Sequence, residues 1–117
     1  MLVHALMDAL LSAAGLKDIG FYFPDTDEKW KDADSMKMLD SVVALLAQSG
    51  YVPNNVSIAI QAETPRLAPY IDEMKNRLAQ ALALDPSRVG VTAGTNEGLG
   101  YVGEGKGITV YAVATIE

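Results

Sequence analysis

The chain has a single histidine, His4, and it stands four residues before Asp8 in "MLVHALMDALL". That spacing sets an imidazole and a carboxylate on one face of a helix. An imidazole can bind a metal or move a proton near neutral pH. Zinc, however, takes three or four protein ligands, and this chain has no second imidazole and no cysteine. A lone histidine near a helix start is more often a partly exposed structural residue than a ligand. A second group of acids, Asp18, Asp25 and Asp27, lies in "DIGFYFPDTD" among Gly20, Phe23 and Pro24. Carboxylates on such a loop can accept hydrogen bonds from substrate hydroxyls or hold a divalent cation. The plainer reading is a solvated acidic loop.

Two phosphate-binding patterns match by letter in the glycine-rich stretch, where seven of the ten glycines lie between Gly90 and Gly107. Gly98, Gly100 and Gly103 fit G-x-G-x-x-G, and Gly100, Gly105 and Lys106 fit G-x-x-x-x-G-K. Both patterns need a strand before and a helix after, because the helix N-terminus holds the phosphate. Here a strand follows, and Gly107 stands where a magnesium-binding Ser or Thr is required. The stretch reads as a flexible connection between strands. The triplet "NVS" at 55–57 is a glycosylation signal by letter alone.

The elements that must position these residues follow from apolar spacing. Leu2, Leu6, Ala9, Leu10 and Ala13 predict a first helix, stopped by Gly15. A polar connection, "KDIGFYFPDTDEKWKDADS", follows and is long for a small domain. Asp34 or Ser35 caps a second helix over 35–48, with Met38, Leu39, Val42, Val43, Leu45 and Leu46 as its buried stripe and Gly50 as its stop. Val56 to Ala62 alternates and is a strand, broken by Pro65. A third helix spans Leu67 to Ala83, with Ile71, Met74, Leu78 and Leu82 on one side. "DPS" at 85–87 is a turn, and Arg88–Ala93 and Gly107–Ile116 are two more strands. The last of these is almost wholly apolar or aromatic, which suits a central strand or an oligomer interface.

These elements predict a single α+β domain over residues 1–117: three or more strands in one sheet, helices on one face, a ferredoxin-like layer. Three strands are few for this many helices, so the expectation is an arrangement that has lost strands before residue 1.

The 117 residues suffice for a core that buries roughly two-thirds of the unfolded surface. Half the residues are hydrophobic and 21% are charged, an ordinary globular balance. The net charge is −6 and the nine Lys and Arg form no run, which argues against nucleic-acid binding. No apolar stretch is long enough to span a membrane, and no signal peptide is read. The lack of cysteine suits a reducing compartment, and a cytoplasmic location is expected.

Together, "HALMDALLSAAGLKDIGFYFPDTD", "ADS", "AETPRLAPYI" and "TNEGLGYVGEGKGI" resemble the 2-C-methyl-D-erythritol 2,4-cyclodiphosphate synthase family, in collinear order over essentially the whole chain. The resemblance implies a metal-dependent phosphorus–oxygen lyase of non-mevalonate isoprenoid biosynthesis. Its substrate is 4-diphosphocytidyl-2-C-methyl-D-erythritol 2-phosphate. The 2-phosphate attacks the β-phosphorus, giving the cyclic diphosphate and CMP. Zinc and a second ion, magnesium or manganese, serve the reaction, and the enzyme is a homotrimer with sites between neighbouring subunits.

Carried onto this chain, the resemblance makes His4 a zinc ligand, with Asp8 behind it near the metal. Asp18, Gly20, Phe23 and Asp25 match the loop that holds the methylerythritol hydroxyls. Ala62, Pro65, Arg66 and Leu67 match the segment whose backbone cradles cytosine, with Arg66 where the family usually has Lys. Thr95 matches a diphosphate contact and Glu97 the acidic residue of the same motif; both are expected to be catalytic.

The sequence also departs from the family pattern. The Asp-x-His zinc pair and the His-Ser-Asp-Gly-Asp segment have no counterpart among these residues. Thr92 and Gly94 stand for a Lys and a Thr, and Glu104 and Lys106 for an Arg and a Glu. The Arg faces an isoprenoid diphosphate in the trimer's central channel, so Glu104 should repel that anion. Turnover by this chain is therefore expected to be impaired, and a catalytically inactive trimeric scaffold or cytidine-nucleotide-binding module is the alternative.

Overall fold

The structure, a computed structural model, describes residues 2–24, 34–62, 68–94 and 108–117. Helix α1 (Leu2–Ala13) is followed by one helical turn, α2 (Ile19–Tyr22), and by helix α3 (Ser35–Gln48). Strand β1 (Pro53–Gln61) leads through a 3-10 turn at Ala68–Tyr70 into helix α4 (Ile71–Leu82). A second 3-10 turn, Pro86–Arg88, precedes β2 (Val89–Gly94), and β3 (Thr109–Ile116) closes the chain.

The sheet order is β2-β1-β3. β1 pairs parallel with β2, from Val56↔Val89 to Gln61↔Gly94, and antiparallel with β3, from Pro53↔Ile116 to Gln61↔Thr109. The parallel pair is a βαβ unit with α4 as its crossover. Along β1, Val56, Ile58 and Ile60 are buried while Ser57 and Gln61 are exposed, so one face meets the helices. α1 lies on β3 and β1, α4 on β2, and α3 packs against α1 and α4. This is the expected α+β layer with helices on one face.

Individual elements differ from their sequence reading. α1 buries Leu6, Met7, Leu10 and Leu11, whereas Ala13 is exposed and Ala9 half-buried. The larger side chains fill the core, so the helix is rotated relative to its alanines. The third helix begins at Ile71, after the 3-10 turn, instead of at Leu67. The long connection contains the unforeseen turn α2. β3 is not central: it is an edge of the described sheet, because β1 alone has a neighbour on each side.

The three long helices end in the same way. An amide two or three residues past each helix's end reaches back to the carbonyl five residues earlier: Leu16 N to Leu11 O, Tyr51 N to Leu46 O and Leu84 N to Ala79 O, each 2.9 Å. This Schellman closure needs a left-handed residue. Gly15 (φ +72°) and Gly50 (φ +86°) supply it at no steric cost, but Ala83 (φ +56°) supplies it against its own Cβ. Ala83→Gly should therefore raise stability by about 1 kcal/mol. Chemical denaturation measures it, and an unchanged midpoint would refute the strain.

Asp85 caps the second 3-10 turn by accepting from Ser87 N at 2.9 Å. That backbone bond, a side-chain bond from Ser87 and nearby Arg88 hold its carboxyl below the usual aspartate range. A depressed folded-state value stabilises the fold above the unfolded value and loses that contribution as pH falls through the folded one. Asp85→Asn should accordingly lose stability near neutrality and flatten the decline below about pH 4. Thermal melts across that range test it.

Candidate functional site

α1 presents its chemistry on the face that the core leaves open. His4 and Asp8 are both exposed, one turn apart. His4 Nε2 lies 3.3 Å from the hydroxyl of Ser35, at the start of α3. Asp34 caps that helix by accepting from Met36 N at 2.8 Å, which sets Ser35 over the N-terminal turn of α1.

Asp8 does something else. Its Oδ1 accepts from the backbone amide of Ile19 at 3.0 Å, tying α1 to the first amide of α2. Asp18 caps the same turn, its Oδ1 accepting from Phe21 N at 3.0 Å. Phe23 ends the turn with its amide bonded to Ile19 O at 2.7 Å and its ring in the core, 8% exposed. Lys17 Nζ sits 4.7 Å above the Phe21 ring, and the Phe21 and Tyr22 rings meet edge to face at 5.0 Å. Gly20 lies within the turn, and a Cβ there would make an ordinary contact with Asp18 Oδ1. Asp8, Lys17 and Asp18 together line an open cleft of about 420 Å³, floored by Ala5, Ala9 and Ala112.

The other half of the expected site starts at the sheet. Ala62 is buried, and its amide donates to Gly94 O at 3.0 Å, extending the β1–β2 pairing by one step. The segments that hold Pro65, Arg66 and Leu67 and that hold Thr95 and Glu97 thus leave from neighbouring strand ends. Open α/β sheets bind ligands at that end of their parallel strands. Asp25, Pro65, Arg66, Leu67, Thr95, Glu97, Glu104 and Lys106 lie outside the described residues, as do the glycines of the two phosphate-binding patterns. Thr92, on β2, is exposed.

The donor set of the described residues does not fit zinc by itself. His4 is the one imidazole, and no group of three His, Cys, Asp or Glu side chains gathers among the described residues. Spacing alone could not reveal the partner of Asp8, because the 3.6-residue period pairs it with His4 and says nothing of an amide eleven residues on.

The sequence matches the YgbB family over residues 1–117. It is 51% identical to the 2-C-methyl-D-erythritol 2,4-cyclodiphosphate synthase of Symbiobacterium thermophilum, over 97% of this chain and 73% of that one. The corresponding synthase of Chlorobaculum tepidum is also 51% identical, over 100% of this chain and 74% of its own. Among solved structures, a 2C-methyl-D-erythritol-2,4-cyclodiphosphate synthase in a CDP-bound form superposes with a TM-score of 0.89 at 34% identity, covering 98% of this chain and 74% of that chain. No described helix is long and apolar enough to cross a membrane. A family match over every residue and half-identical relatives along nearly the full chain place this protein in the YgbB family, that of the 2-C-methyl-D-erythritol 2,4-cyclodiphosphate synthases.

Proposed function

We propose that this chain serves the reaction of its relatives: cyclisation of 4-diphosphocytidyl-2-C-methyl-D-erythritol 2-phosphate with loss of CMP. The observation that carries the reading is the parallel β1–β2 end. Ala62 and Gly94, the last described residues before the two segments the reading assigns to cytosine and diphosphate, are joined there, which supports one shared site. A CDP-bound relative with the same fold supports a cytidine nucleotide as ligand.

In this reaction an oxygen of the 2-phosphate forms a bond to the β-phosphorus. The bond from that phosphorus to the bridging oxygen breaks, and CMP leaves with the electron pair. Such a transfer depends on positioning and charge neutralisation more than on covalent help from the protein. Asp18 accepts hydrogen bonds from the polyol hydroxyls, and the backbone around Ala62 to Leu67 holds cytosine. Thr95 donates to the diphosphate, and Glu97 completes that motif. The family implies a divalent metal, which His4 would help to hold. The remaining ligands must come from outside the described residues of one copy.

A trimer with shared sites fits the sheet. Among the described residues its second face carries no helix and leaves Tyr111 62% and Val113 66% exposed, an apolar surface of the kind that subunits cover. The reading carries a cytoplasmic location, which a cysteine-free sequence suits.

With one imidazole in 117 residues, turnover by this chain alone is expected to be slow while nucleotide binding survives. Calorimetry with CMP and chromatography of CMP released from the substrate test both halves. CMP binding at millimolar concentration, with slow release that Thr95→Ala lowers by about tenfold or more, is the expected result. Binding with no release at all would favour the nucleotide-binding scaffold. Neither binding nor release would overturn the reading.

A further inference from the structure

We infer that Asp8 is a positioning residue for the polyol half of the substrate, acting through Asp18 and not through a metal. The inference rests on the proposed role of the segment after α1. Residues 17–23 are organised largely from within: Lys17 stacks on Phe21, Lys17 N reaches the Tyr22 hydroxyl at 3.4 Å, and Asp18 caps its own turn. None of these contacts orients the turn relative to α1. The Phe23 ring anchors its far end in the core. The bond from Ile19 N to Asp8 Oδ1, at 3.0 Å, fixes its near end.

That bond decides where Asp18 stands. Asp18 is adjacent to Ile19, and its Oδ1 is spent on the Phe21 amide. Among the described residues nothing bonds its Oδ2, and Asp18 borders the same cleft as Asp8 and Lys17. Asp18 can therefore offer one carboxylate oxygen to a ligand hydroxyl, along a direction set by the turn. Leu16, Ile19 and Tyr22 also pack partly against the core. With the Asp8 carboxylate removed the turn therefore stays seated and capped, but the polar tie at the Ile19 amide is lost and the neighbouring Asp18 oxygen loses its fixed direction. A loose acceptor must be ordered at the moment of binding, which weakens the ligand. The effect falls on the polyol and spares the nucleotide, because cytosine is held at the sheet end by other residues.

The test compares wild type, Asp8→Ala and Asp8→Asn, with two probes: the intact substrate and CMP, which has no polyol. Asp8→Ala should raise the dissociation constant for the substrate by about tenfold and leave that for CMP within about twofold. Asp8→Asn keeps an acceptor oxygen at the same reach and should restore substrate binding. Amide exchange at Ile19 should quicken in the alanine variant and return in the asparagine one. Equal weakening of both probes would show a merely structural role and overturn the inference, as would unchanged substrate binding. A wild type that binds neither probe would bring down the functional reading itself, an outcome distinct from failure of the Asp8 role.

Discussion

The burial of α1 is the constraint on which the rest depends. Leu6, Met7, Leu10 and Leu11 are each 0% exposed, and the helix touches β3, β1, α3 and α2. Each such side chain contributes about 1.5–3 kcal/mol by leaving water. Their positions also fix the helix's rotation. With these four inward, His4 and Asp8 must face outward together, one toward Ser35 and one toward Ile19. A one-residue turn of α1 that put Met7, Asp8, Leu11 and Ser12 inward would bury the Asp8 carboxylate.

The second constraint is the parallel pairing of β1 and β2. A parallel pair needs a crossover, and α4 provides it while covering β2. The consequence for function is at the strand ends. Two segments far apart in sequence, one after Gln61 and one after Gly94, begin as neighbours. Among the described residues the helices occupy one face of the sheet, and Tyr111 and Val113 stand exposed on the other.

The segment between α1 and α3 shows how a short polar stretch is ordered without a core of its own. Two carboxylates, from Asp8 and Asp18, satisfy the amides that a four-residue helix cannot satisfy internally. Phe23 supplies the buried apolar anchor, with Leu16, Ile19 and Tyr22 partly packed against the same core. Ile19, next to Asp18, is tied to a carboxylate on a different helix, so the placement of the segment depends on the packing of α1.

Much was legible from the residues alone. The glycines at 15 and 50 ended their helices as read, because a left-handed closure has few other ways to be made cheaply. The alternation of Val56, Ile58 and Ile60 marked a strand, and the motif order gave the family. What the residues could not show was settled by long-range contact. Ala83 takes the left-handed role without being glycine, since the Leu84-to-Ala79 closure and the packing of α4 enforce it. Among the described residues the last strand lies at the edge of the sheet and not at its centre, because pairing geometry, not hydrophobicity, sets strand order. Asp8 serves an amide on another element. Local spacing determines which residues share a face; only the tertiary structure determines what that face meets, because the partner is brought there by burial elsewhere in the chain.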